Sequence, residues 1–152
     1  YRTVVAGVFH YPFELDVPWY ALVNTDKDHD IGWLAREECK AGHVPDGESL
    51  LLVQMNEGWS VANYDERPDR MLEEMAHRVA HLLGDERLTD PDWTDYQHWR
   101  YAQPEETVAD GALAESATHD LYFAGDWVGG EPRLHAAVRS GLEAGDRLAE
   151  TL

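Results

Sequence analysis

A single cysteine, Cys39, stands in 152 residues. That excludes an internal disulfide framework, and only Arg36 and Lys40 nearby argue for a reactive thiol, which leaves Cys39 a bystander. No apolar run approaches the roughly 18 residues that a membrane-crossing helix needs, and no signal-peptide pattern is present. Lysine is nearly absent: Lys27 and Lys40 are two of twelve basic residues, set against thirty acidic ones, for a net charge of -18. Nucleic-acid binding needs a basic footprint, so that class is excluded. There is no G-x-S-x-G elbow, and Ser140 falls inside a predicted helix, so serine-nucleophile chemistry has no support. No G-x-G-x-x-G turn follows the first strand; the one glycine pair, Gly129-Gly130, lies near the other end.

What is present argues for a folded domain. Hydrophobic residues make up 43%, with six Trp and seven Tyr, which is incompatible with charge-driven disorder. Acidic excess with arginine kept and lysine lost fits a halophilic source, where salt screens the repulsion between carboxylates. The Debye length falls to about 3 Å at 1 M salt. The lone cysteine fits a reducing, cytoplasmic setting or a simple avoidance of cysteine.

Hydrophobic patterning predicts strands at Arg2–Phe9, Trp19–Asn24, Ile31–Glu37 and Glu48–Met55, and a hairpin through Asn56-Glu57-Gly58 into Trp59–Asn63. The polar turn Thr25–Asp30 has some of the acid spacing of a calcium loop, but its glycine and terminal glutamate are out of register. A helix is predicted over Asp65–Gly84, with Met71, Leu72, Met75, Val79, Leu82 and Leu83 as its buried stripe. Trp93–Tyr101 reads as a strand, followed by a polar loop through Thr118 and a strand at Leu121–Ala124. A final helix carries Leu134, Ala137, Val138, Gly141, Leu142, Gly145, Leu148, Ala149 and Leu152 on one face. Glycine inside a helix costs roughly 1 kcal/mol against alanine, so Gly141 and Gly145 suggest a close approach to a strand or cofactor. The fold class is α+β: a mixed, largely antiparallel sheet with two long helices.

The stretch that carries chemistry is Leu121-Tyr-Phe-Ala-Gly-Asp-Trp-Val-Gly-Gly-Glu-Pro-Arg-Leu-His-Ala. It places the carboxylate of Asp126 beside the unpaired N–H groups that open a helix. Such a mouth offers acceptors for a sugar-like hydroxyl and donors for an anion or polarised carbonyl. This segment resembles the C-terminal flavin-contact motif of FAD-dependent oxidoreductases, the renalase-like and flavin amine oxidase-like proteins in particular. The segment Trp99-Arg-Tyr-Ala-Gln-Pro104 is similar to the strand end those proteins place beside the flavin.

The resemblance implies that Gly125 and Asp126 form the Gly-Asp pair, with Asp126 on the ribityl chain of FAD. It implies that Arg133 and Leu134 open the helix whose N-terminus faces the flavin ring. Trp99, Tyr101 and His135 become the substrate-side candidates. It further implies a C-terminal part of a longer chain whose dinucleotide-binding region lies elsewhere, and which does not by itself hold FAD tightly. Residues 1–118 would form a substrate-side region and 119–152 a strand-turn-helix returning to the FAD domain. The intact protein would take a hydride from a small amine or dihydronicotinamide-like substrate. His77 and His81, four apart on one helix, lack the glutamate of a zinc protease, and no metal site is assigned. The rival reading is a non-enzymatic acidic binding or assembly domain in which Asp126 only caps a helix. The acidic composition itself generates a test: melting temperature should rise in molar KCl, and thermal melts with and without the salt measure it.

Overall fold

The computed structural model describes residues 1–150. Five strands form one sheet in the order β2-β3-β4-β1-β5: β1 Arg2–Tyr11, β2 Ala21–Val23, β3 Ile31–Arg36, β4 Ser49–Met55 and β5 Trp93–Gln103. The pairs β1·β4, β2·β3 and β3·β4 are antiparallel, which gives the α+β class expected. The helices are α1 Glu57–Ala62, α2 Pro68–Leu83, α3 Asp110–Ala117, α4 Asp126–Gly129 and α5 Leu134–Glu150. The chain divides into two compact units, Thr3–Trp99 and the remainder, the break falling inside β5.

In the larger unit, strand alternation sends Val5, Phe9 and Tyr11 of β1 and Leu51, Val53 and Met55 of β4 to one face, all buried. Helix α2 covers that face with Met71, Met75, Ala76, Val79 and Ala80. Leu82, expected in its buried stripe, is instead 40% exposed, because the alanines take the inner positions. Gly7 lets α2 come close: a Cβ there would stand 2.7 Å from the Met75 methyl and from the Phe9 ring. Pro68 opens the helix and Gly84, left-handed at φ 68°, ends it. The buried Tyr11 hydroxyl donates to the Leu88 carbonyl at 2.9 Å. Burial, with a smaller contribution from the Asp85 charge, pushes that phenol well above its ordinary range.

Three expectations are corrected. The segment Trp59–Asn63 is no hairpin strand; Trp59 to Ala62 belong to helix α1 and Asn63 ends it. The Asn56 side chain accepts the Trp59 N–H at 2.8 Å, so Asn56-Glu57-Gly58 is a helix cap and first turn. Trp59 is then buried, and the Ser60 hydroxyl accepts the Val5 N–H at 3.0 Å. Leu121–Ala124 has no strand ladder among the described residues; Leu121 N–H bonds back to Ser116 at 3.1 Å instead. The loop through Thr118 contains α3.

Asn56 also donates to the His29 carbonyl at 3.0 Å, so it secures two segments. Asn56→Ala should lower stability by about 1–2 kcal/mol, the usual cost of losing such a cap. Urea unfolding followed by circular dichroism measures this.

Candidate functional site

Gly125, Asp126, Arg133, Leu134 and His135 all lie in the smaller unit. Their scaffold is the start of α5 and the one-turn α4. The buried Ser140, on α5, holds the turn by its hydroxyl. It accepts the Gly125 N–H at 2.8 Å, and its proton is shared between the carbonyls of Gly125 at 2.8 Å and Ala137 at 2.9 Å. Sequence reading set Ser140 aside once nucleophilic chemistry was excluded. A small hydroxyl among alanines and glycines on a helix face was the available signal.

Gly125 has φ 146°, and a Cβ on it would lie 2.5 Å from the Trp127 indole nitrogen. Only glycine fits there. A Cβ on Gly129 would stand 3.1 Å from that of Ala136, so α4 and α5 pack closely at this point. Gly130 turns left-handed at φ 71°, and the Thr107 hydroxyl donates to the Val128 carbonyl at 3.2 Å.

Asp126 opens α4 with Gly125 as its cap residue, so it does not cap α5. Among the described residues its half-buried carboxylate has no hydrogen-bond or ion-pair partner. Arg133 provides the first helical acceptor of α5, its carbonyl taking the N–H groups of Ala136 at 3.1 Å and Ala137 at 3.2 Å. The N–H groups of Leu134 and His135 remain open among the described residues, as helix geometry dictates. His135 pairs with Glu131 across 3.1 Å on the surface. An unpaired carboxylate and an uncapped helix start therefore share one unit.

The apolar face of α5 is not buried within the described residues. Leu134 is 82% exposed, Val138 55% and Leu142 67%, while Ala136 and Ser140 are the buried positions. A Cβ on Gly141 or Gly145 would meet nothing within 4 Å, so the close approach those glycines suggested is not made here. Leu152, expected on the same stripe, lies outside the described residues.

Trp99 belongs to the larger unit and Tyr101 to the smaller. Trp99 lines a groove of about 280 Å³ on the sheet face away from α2, with Val8, Leu52, Gln54, Asp95 and Gln97. Its neighbour His98 points the other way, its Nε2 3.3 Å from the Met71 sulfur and its ring against Tyr64. Tyr101 packs edge-on against Tyr1 with ring centres 5.5 Å apart. His10, which sequence reading passed over, follows Val8 on the outer face of β1. It stacks on Trp93 at 5.2 Å, with Nε2 2.8 Å from Glu48 and Nδ1 3.3 Å from Asp92. His77 and His81 sit on the exposed side of α2.

The family model described as flavin containing amine oxidoreductase matches residues 9–149. The chain belongs to that family. FAD is accordingly its cofactor. A solved structure described as a protoporphyrinogen oxidase from Exiguobacterium sp. 255-15 superposes with a TM-score of 0.69 at 14% identity, covering 98% of this chain and 35% of that one. A putrescine oxidase redesigned in its cofactor binding gives a TM-score of 0.57 at 12% identity, covering 97% of this chain and 36% of that one. At such identities the likeness is one of fold. The chain thus spans about 35% of the length of the first of these structures. No curated protein matches it. None of the described helices is long and apolar enough to cross a membrane.

Ser140→Ala removes the partner of both Gly125 backbone groups. It should cost the smaller unit about 1–3 kcal/mol, the usual penalty for stranding buried polar groups. Faster hydrogen exchange at the Gly125 amide reads the effect directly.

Proposed function

We propose that this chain supplies the substrate-side sheet and the closing flavin contact of an FAD-dependent oxidoreductase, amine oxidase-like or renalase-like. In this reading Asp126 accepts hydrogen bonds from the ribityl hydroxyls of FAD, and the α5 N-terminus at Arg133–Leu134 faces the flavin ring. The observation that supports it is the unpaired Asp126 carboxylate, next in sequence to the Gly125 backbone that Ser140 of α5 holds, in the same unit as the open N–H groups of Leu134 and His135. A capping aspartate would have spent its oxygens on the helix, and this one has not. The residues present fit the cofactor: an acceptor for hydroxyls, donors for a carbonyl, and glycines that keep the backbone bare.

Bound FAD supplies the redox chemistry by accepting a hydride from a small amine or dihydronicotinamide-like substrate. The chain's own contribution is position and field. Asp126 would hold the cofactor through its hydroxyls, and the α5 dipole favours negative charge near its first N–H groups. Trp99 offers a flat apolar wall to the substrate, and Tyr101 and His135 are the further substrate-side candidates of this reading. The substrate-side role falls to residues 1–118 and the cofactor-side role to 119–152. The dinucleotide-binding region of the same protein covers the exposed Leu134–Val138–Leu142 face of α5. Residues 1–152 alone therefore bind FAD weakly. A halophilic, cytoplasmic setting goes with this reading, supported by the net charge of -18 and the single cysteine.

Asp126→Ala in the intact enzyme should weaken FAD binding about ten- to hundredfold, since a hydrogen bond to a charged group contributes roughly 1.5–3 kcal/mol. Flavin absorbance retained after dialysis measures the loss. Wild-type retention in the variant would remove Asp126 from the site. An intact wild-type protein that stays colourless when FAD is added would defeat the whole reading.

A further inference from the structure

Gly125 is the loose point of the turn that carries Asp126. Its φ of 146° and ψ of 170° lie in a region that essentially only glycine occupies, and glycine also has the most freedom to leave it. The α4 bonds that follow are long, with the Val128 and Gly129 N–H groups 3.2 Å and 3.3 Å from the Gly125 carbonyl. A single helical turn is marginal by itself. The turn therefore needs a hold from outside it.

Ser140 supplies that hold with one oxygen. Its hydroxyl accepts the Gly125 N–H and lies 2.8 Å from the Gly125 carbonyl, so the peptide planes on both sides of the Gly125 Cα are tied to the same atom. The second of those planes contains the Asp126 nitrogen and ends at the Asp126 Cα, because a peptide unit is rigid from one Cα to the next. A helical serine ordinarily bonds back to a carbonyl of its own helix, as Ser140 also does to Ala137 at 2.9 Å. The Gly125 contacts are additional to that bond. They are also sheltered: Ser140 is buried, and one turn earlier on α5 Ala136 closes on Gly129. The Asp126 side chain is left uncommitted among the described residues.

We propose that Ser140 is a positioning residue for the flavin contact: by holding the peptide planes on either side of Gly125 it places Asp126, and its effect on FAD passes through the Asp126 carboxylate. This role rests on the reading of Asp126 as the acceptor for the ribityl hydroxyls. Ser140 itself touches neither cofactor nor substrate, since its hydroxyl is spent on the backbone groups of Gly125 and Ala137. A residue that merely filled the contact between α4 and α5 would act on FAD whether or not Asp126 is present. A positioning residue acts only while Asp126 is there to be placed.

A double-mutant cycle in the intact enzyme tests this, with the dissociation constant of FAD read from flavin fluorescence and folding checked by circular dichroism. Ser140→Ala should weaken FAD about three- to tenfold while Asp126 is present, in keeping with the loss of a neutral hydrogen bond. In the Asp126→Ala background the same change should weaken FAD by less than about twofold, because the two residues act as one unit. Ser140→Cys fills nearly the same space with a weak donor and acceptor, so it should follow Ser140→Ala. Should the alanine variant fail to fold, the cysteine variant carries the cycle. Wild-type FAD affinity in either Ser140 variant, or an equal loss with and without Asp126, would overturn the role and leave Asp126 in the site. Wild-type affinity in Asp126→Ala would instead overturn the reading of Asp126, and the role of Ser140 with it.

Discussion

The contact between the bare backbone at Gly7 and the Met75 side chain sets how close helix and sheet lie in the larger unit. Everything else in that core follows from the distance it permits. Met71 and Val79 fall one turn to either side of Met75 and join the inward residues of β1 and β4 in one buried cluster. The opposite face of the same strands is left free of the helix. That free face carries the Trp99 groove and the His10–Trp93 stack. Alternation chooses which side of the sheet is core, and the missing Cβ at Gly7 lets the helix close on it.

The smaller unit depends on a different kind of restraint. Its helices bury little apolar area, and α5 turns mostly small residues inward. Position is instead held by the hydroxyl of Ser140 on both backbone groups of Gly125. A polar restraint of this sort leaves the neighbouring Asp126 side chain uncommitted. An apolar one would have needed bulk at the turn, where Trp127 already excludes even a Cβ.

Most of the fold was legible because its signals were local. Apolar runs, β-branched in β1 and Leu-Leu-Leu-Val in β4, marked those strands, and the Pro68–Gly84 pair bracketed α2 to within a few residues. The failures have physical causes. Asn-Glu-Gly serves a hairpin turn and a helix start equally well, and the choice was made by Asn56 accepting the Trp59 N–H. Leu121–Ala124 has the composition of a strand, but a strand needs a neighbour to pair with, and composition does not report one. The α5 stripe was read as one amphipathic face, and within the described residues Leu134, Val138 and Leu142 on it are exposed. Periodicity specifies which residues share a face and is silent about what covers it. At the candidate site, Gly125 and Asp126 stood out by type and order, whereas Ser140 did not, because its role needs the two segments to be seen side by side.

The exposed α5 face gives salt two opposing effects on this chain. Screening eases the repulsion among carboxylates within one molecule, and it equally removes the repulsion between molecules. Leu134, Val138 and Leu142 form an apolar strip that strong charge keeps apart from its copies in dilute buffer. The screening that eases repulsion within each molecule thus also brings the exposed strips of neighbouring molecules within reach of one another.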